Sequence, residues 1–205
     1  MVKRNTIKHA FMITAVLAVS LFLAACNPLE NTSRSNTLLI VEKIMGKDSQ
    51  GNSVNYLQSD VAIYDVATQT YSVQADSAKA TLSAKLIDPT PTALASQYND
   101  LIINRYVVTF TRSDGKNAPG TDVPYSFEGS LSVLLEAGGT AQDVSFIIVR
   151  EAAKQEAPLV NLINAYPGDV LQVTAQIDFY GKDMTNHVVK ATGYLTIFFA
   201  NYADE

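Results

Sequence analysis

Within residues 79–87, KATLSAKLI, apolar and polar side chains alternate from Lys79 to Leu86: Ala80, Leu82, Ala84 and Leu86 fall on one side, Lys79, Thr81, Ser83 and Lys85 on the other. Side chains of an extended chain point alternately to opposite faces, so a period of two marks a strand buried on one face only. A helix built from the same residues would scatter its apolar positions around the axis. This segment therefore has to pair in a sheet, and the sheet needs something to pack against.

The pattern recurs along the chain. Residues 37–45 form an apolar strand candidate, and residues 61–65 and 71–75 flank a polar turn and read as a hairpin. Residues 102–112 put Tyr106, Val108 and Phe110 on one face, with Arg105, Val107, Thr109 and Thr111 on the other. Short strands are predicted at 124–127, 130–136 and 144–150, with turn signals at Pro119-Gly120 and Gly138-Gly139. The longest strands are predicted at 170–180 and 188–200, joined by a turn over 181–186. Residues 151–157, EAAKQEA, have helical composition but are too short to be stable alone. They are expected to form one or two helical turns bridging the sheets.

Many short strands and no long helix indicate an all-β chain, an antiparallel β-sandwich. From Pro167-Gly168 a long strand, a tight turn and a second long strand follow, which resembles the closing hairpin of immunoglobulin-like domains. The resemblance implies an immunoglobulin-like sandwich. The disulfide and core tryptophan of antibody domains are absent, since the chain has one Cys and no Trp, and fibronectin-like or transthyretin-like sandwiches remain open. Residues 37–205 are expected to form one domain, with a possible sub-boundary or crossover at 88–92 (DPTPT). A separate unit of about 50 residues without disulfides would have a marginal core.

The N-terminus has a different character. Basic residues Lys3, Arg4 and Lys8 precede an apolar run of 14 residues from Ala10 to Leu23, and Leu23-Ala24-Ala25-Cys26 follows. Charged, apolar and small-residue segments in this order form a secretory signal with a processing site. The run is short of the about 20 residues a membrane span needs. Leu23, Ala24, Ala25 and Cys26 resemble the lipobox of bacterial lipoproteins. That resemblance implies a signal helix cleaved after residue 25, with Leu23, Ala24 and Ala25 as the peptidase recognition residues. It also implies a diacylglyceryl group on the Cys26 thiol and acylation of the new amine. Lipidation would account for a lone cysteine in an oxidising compartment. Asn27 stands where an aspartate would resemble an inner-membrane retention signal, which favours the outer membrane in an organism that has one. Residues 26–36 are polar after the cysteine and read as a lipidated, flexible tether.

Loss of residues 1–25 leaves 180 residues and removes three basic side chains, so 12 Lys+Arg face 20 Asp+Glu, a formal charge of −8. An acidic chain argues against a nucleic-acid partner and against electrostatic docking on anionic lipid. The membrane is then reached through the lipid.

Chemistry is harder to find. No G-x-S-x-G elbow or phosphate-binding glycine motif occurs, and His187, the only histidine beyond the signal, sits beside a turn. The expectation is a protein that is not an enzyme and carries no cofactor apart from its covalent lipid. Hard oxygen ligands for calcium are offered weakly by Asp114, Asn117 and Asp122, together with Ser113 and Thr121, and by Asp178, Asp183 and Asn186. The same residue types populate turns for conformational reasons. Ten tyrosines offer rings for stacking or interfaces, and Tyr125 with Phe127, after the turn-rich loop, is the expected ligand-contact region. The expected function is a lipid-anchored, non-enzymatic interaction or structural module of the cell envelope, with another envelope protein or a glycan as its partner. The alternative is a carbohydrate- or calcium-dependent ligand-binding module.

Overall fold

The computed structural model describes residues 34–65, 67–88, 96–164 and 169–202. Leu23, Ala24, Ala25 and Cys26, residues 89–92 of the possible sub-boundary, and Pro167-Gly168 lie outside the described residues. Residues 35–205 form one compact unit. Among the described residues no helix is long and apolar enough to cross a membrane.

Among the described residues eleven strands follow one another: β1 Thr37–Lys47, β2 Ser53–Val54, β3 Tyr56–Asp60, β4 Ile63–Asp65, β5 Thr70–Ser72, β6 Asp76–Leu86, β7 Leu101–Thr111, β8 Phe127–Leu135, β9 Gln142–Val149, β10 Leu171–Asp183 and β11 Val188–Ala200. They build a four-stranded sheet, β2-β1-β6-β9, and a five-stranded sheet, β3-β11-β10-β7-β8. The β4–β5 pair is the hairpin expected around residues 61–75. A single helical turn, Glu151–Lys154, and a 3-10 turn, Leu159–Leu162, carry the chain from β9 to β10.

The chain is all-β, and its pairings are antiparallel with one main exception. β3 runs parallel to β11, with Leu57 opposite Ile197. Only two inward positions, Leu57 and Ser59, alternate in this strand. So short a pattern escapes sequence reading, and a parallel partner is reached only because the chain leaves β1 at one end and crosses to the other sheet. Residues 37–87 thus supply strands to both sheets and share one core with the rest.

Rings fill the space between the sheets. Tyr106 of β7 meets Phe146 of β9 at 5.1 Å between centroids, and Phe146 meets Phe179 of β10 edge-on at 5.4 Å. Such edge-to-face pairs add to what area burial alone contributes. Beside Phe146 in the same sheet, β6 contributes Ala78, Ala80, Leu82 and Ala84, all buried.

Two irregularities set which side chains face inward. In β1, Glu42 has no partner between Val41↔Leu82 and Lys43↔Thr81. Buried positions therefore pass from odd numbers (Leu39) to even ones (Ile44, Gly46). In β7, Asn104 is skipped by β10, and the inward set passes from Leu101 and Ile103 to Tyr106, Val108 and Phe110. One expectation for β6 needs correction: Thr81 and Ser83 are not solvent-facing but buried. β6 lies centrally between β1 and β9, so neighbouring strands cover short polar side chains, and Thr81 Oγ1 donates to Asp143 Oδ1 at 2.6 Å.

The sheets close tightly where β1 crosses β11. A Cβ on Gly193 would come within 2.5 Å of Ile44 Cδ1 and 2.9 Å of Val41 Cγ1. Gly193→Val should lower stability by about 1–3 kcal/mol through overpacking, read as a reduced midpoint in urea with an unchanged slope. Exposed Thr109→Val serves as the neutral control.

Candidate functional site

The two poles of the domain differ. Ser35 and Thr37 enter at one, beside the β10–β11 turn. Along β1 the chain travels about 30 Å to the other pole, where a cleft of about 890 Å³ opens among Asp48, Leu57, Gln58, Asp60, Asp76 and Tyr202. Its rim is built by turns. Asp48 accepts from the amides of Gln50 (3.0 Å) and Asn52 (2.8 Å), and Asp60 Oδ1 accepts from the Tyr202 amide at 3.3 Å.

Behind Asp76 lies Lys154, 2% exposed. Its ammonium donates to the Asp60 carbonyl at 2.6 Å and pairs with Asp76 Oδ2 at 3.0 Å, an oxygen that also accepts from Ser59 Oγ at 2.6 Å. Burial pushes the Asp76 carboxyl above its usual range, and the Lys154 charge and Ser59 hydroxyl only partly pull it back. Ser59 is fully buried, so no substrate reaches its hydroxyl. The trio binds the β9–β10 crossover to β3 and β6. It was invisible in the sequence, because the lysine of EAAKQEA carries no local sign of burial.

A second polar surface lies on the outer face of the five-stranded sheet. Arg105 places its guanidinium carbon 4.0 Å from the centroid of the Tyr180 ring and pairs with Glu128 at 2.8 Å. Lys190 lies 5.4 Å from that centroid and pairs with Asp178 at 3.0 Å. Thr192 and Gln176 also donate to Asp178. The row crosses four strands, β8, β7, β10 and β11, because Arg105, Tyr180 and Lys190 stand directly opposite one another in register.

The residues singled out from sequence are dispersed. Phe127 is buried, with the Tyr106 ring 6.3 Å away and the Arg150 guanidinium 4.8 Å from its centroid. It is a core residue, and of the expected contact pair only Tyr125 shows a face to solvent, its ring lying over Gly120. Alternation failed here because Phe127 opens β8 rather than closing a strand at 124–127. In the 113–122 loop, Asp114 forms two bonds with the Arg112 guanidinium (2.5 and 3.1 Å), Asn117 Oδ1 accepts from the Arg112 amide at 2.6 Å, and Asp122 accepts from the Ala118 amide at 3.0 Å. These oxygens hold the loop together. Among the described residues no three His, Cys, Asp or Glu side chains converge as a metal site.

Asp183 and Asp178 likewise do not meet: Asp178 belongs to the outer-face row, while Asp183 organises the β10–β11 turn. Asp183 accepts from the amides of Thr185 (2.8 Å) and His187 (2.9 Å) and from the Thr185 hydroxyl (2.7 Å), and His187 Nδ1 lies 3.0 Å from its other oxygen. Asn186 completes the turn in the left-handed region (φ 69°), which asparagine tolerates. Burial opposes the Asp183 charge, yet bonds from Thr185, His187 and Ser35 hold its carboxyl well below the usual range. Comparison with protein-family models, curated proteins and solved structures returns no match for the chain.

Two expectations follow from these carboxylates. Lys154→Met should destabilise the domain by about 3 kcal/mol by leaving Asp76 without its cation, and adding Asp76→Leu should restore most of the loss in chemical denaturation. Asp183 has the opposite linkage from Asp76. Its native proton is held more weakly than in the unfolded chain, so its contribution is complete above the ordinary carboxylate range and fades as pH falls below about 4. Asp76 holds its proton more tightly when folded and favours the native state most in acid. Asp183→Asn should therefore cost about 1–3 kcal/mol at neutral pH and little at the acid end, as read from thermal unfolding across pH.

Proposed function

We propose that this chain is a lipid-anchored protein of the bacterial cell envelope whose immunoglobulin-like β-sandwich serves as a non-enzymatic interaction module. The observation that carries the reading is Leu23-Ala24-Ala25-Cys26 behind a basic and apolar leader. Cleavage before Cys26 and acylation of its thiol and amine give three chains. One alone holds marginally, and each buried methylene adds about 0.8 kcal/mol, so attachment needs no protein span. Asn27 favours the outer membrane.

The strand order supports the finer fold. β1-β6-β9 faces β11-β10-β7-β8, with hairpins at β7–β8 and β10–β11 and crossings between sheets at β6–β7, β8–β9 and β9–β10. That is the order A-B-E against G-F-C-C′ of immunoglobulin-like sandwiches. The interaction role is supported by the polar cleft at the pole away from Ser35, where an envelope protein or a glycan has access to Asp48, Gln58 and Tyr202.

Cys26→Ala should move the protein from the membrane fraction to the soluble fraction, while the wild type leaves membranes only with detergent; equal partitioning of the two overturns the anchor. A photo-crosslinker at Gln58 in the cleft should capture an envelope component that the same group at exposed Lys43 does not. Equal capture at both positions removes the cleft as the contact site.

A further inference from the structure

We propose that the pole at which the tether enters seats directly on the bilayer surface that holds the lipid, so that the domain stands on the membrane with its cleft turned away. The inference rests on the lipid-anchor reading above. Its own evidence is the distribution of exposed apolar side chains. Leu38, Ile87, Tyr98, Ile102, Met184 and Val188 are all exposed, Val188 at 71% and Tyr98 at 69%. Register puts Leu38, Ile102 and Val188 at one end: Leu38 opposes Lys85 at the end of β6, Ile102 and Val188 both oppose Lys182 at the end of β10, and Met184 follows in the turn. Ile87 joins them through its bond to the Asn36 carbonyl, and Tyr98 stands beside Asn99, whose carbonyl accepts from Thr37 at 2.8 Å. On the outer face of the five-stranded sheet, exposed Leu134 opposes Ile102, so Leu134, Ile102, Lys182 and Val188 form a continuous row over four strands. Single exposed apolar side chains need no explanation, but a contiguous set at one pole marks a contact surface.

The tether identifies what that surface meets. Ser35 is buried, accepts from the Thr37 amide at 3.2 Å and bonds Asp183 beside the Met184 turn. Ile87 donates its amide to the Asn36 carbonyl at 2.9 Å. The chain is thus fixed to the domain from Ser35 onward, one residue before the expected end of the tether. Nine residue steps back to Cys26 span about 30 Å even when fully extended. The apolar pole cannot leave the neighbourhood of the bilayer, and the water between them is held at short range.

The chemistry fits an interface. Lys85 beside Leu38 and Lys182 between Ile102 and Val188 have long apolar stems that lie along an apolar surface with the ammonium in the headgroup layer. Tyr98 is a side chain suited to that depth. Asp88 and Glu136 are exposed at the same pole, so apolar contact and not charge attraction drives the seating. A neutral bilayer suffices.

The test uses the full chain, lipidated in cells, carrying one added cysteine labelled with a polarity-sensitive fluorophore: Val188→Cys at the tether pole or Ser49→Cys at the cleft. In reconstituted phosphatidylcholine vesicles, the label at 188 should be quenched by lipid-borne nitroxide and shielded from aqueous iodide, and the label at 49 should behave in reverse. Loss of both differences while the protein stays with the vesicles overturns the seating and leaves the anchor standing. Failure of the wild type to enter the membrane fraction overturns the anchor reading itself. Ile102→Asp with Val188→Asp, both at exposed positions, should keep vesicle attachment yet abolish lipid quenching of a label at Tyr98→Cys. Retained quenching overturns the assignment of the apolar row. A detergent-solubilised dimer that dissociates with the double aspartate variant assigns the row to a second copy instead and overturns the proposal.

Discussion

A single buried ammonium organises the end of the domain that the sheets alone would leave open. Lys154 reaches from the β9–β10 crossover to the Asp60 carbonyl of β3 and the Asp76 carboxylate of β6, with Ser59 on the same oxygen. A charge taken from water is tolerated only when its partners are in place, so one side chain fixes three segments at once. Well-packed hydrophobic residues of similar volume can match such a pair in stability, but the pair also constrains geometry. The crossover has to land where Asp76 and the Asp60 carbonyl are, and β3 has to lie where Ser59 reaches Asp76. The parallel seam between β3 and β11 depends on that placement.

The rest of the fold is apolar packing corrected by local irregularity. Glu42 and Asn104 each stand outside the register of a neighbouring strand and switch the inward face of their own. Without these bulges a strict alternation would turn Lys43 and Arg105 into the core and Ile44 and Tyr106 out of it. Gly193 lets β1 and β11 approach on one side. The sandwich also acquires polarity. Strand direction carries the apolar ends of β1, β7, β10 and β11 to the pole where Ser35 is bonded, and the acidic turns of Asp48 and Asp60 to the other. The proposed seating on a bilayer and the proposed partner at the cleft both rest on that polarity.

Much of this was legible residue by residue. The strands at 79–87 and 102–112, the hairpin around residues 61–75 and the two long closing strands all appear close to their expected places, because an extended segment leaves a period of two wherever it is long enough. The failures share a cause. β3 is five residues long and its partner lies some 140 positions away, so no local pattern announces it. Thr81 and Ser83 look solvated because they are polar, yet a central strand is covered from both sides. Phe127 looked available because it followed a turn, whereas its ring completes the cluster around Tyr106. Asp114, Asn117 and Asp122 form the loop they were read from, each spent on a neighbouring amide or on Arg112.

Side-chain period alone made the class of fold legible, and a leader whose meaning is local and linear raised the expectation of an anchor at Cys26. Tertiary structure decided everything that depends on distant residues meeting. It buried Lys154 against Asp76, brought Arg105, Tyr180 and Lys190 into one row, and gathered Leu38, Ile102 and Val188 at the pole that Ser35 holds. Period is a property of neighbours along the chain and survives in the sequence. Burial, pairing and polarity are properties of neighbours in space, and only the closed pair of sheets creates them.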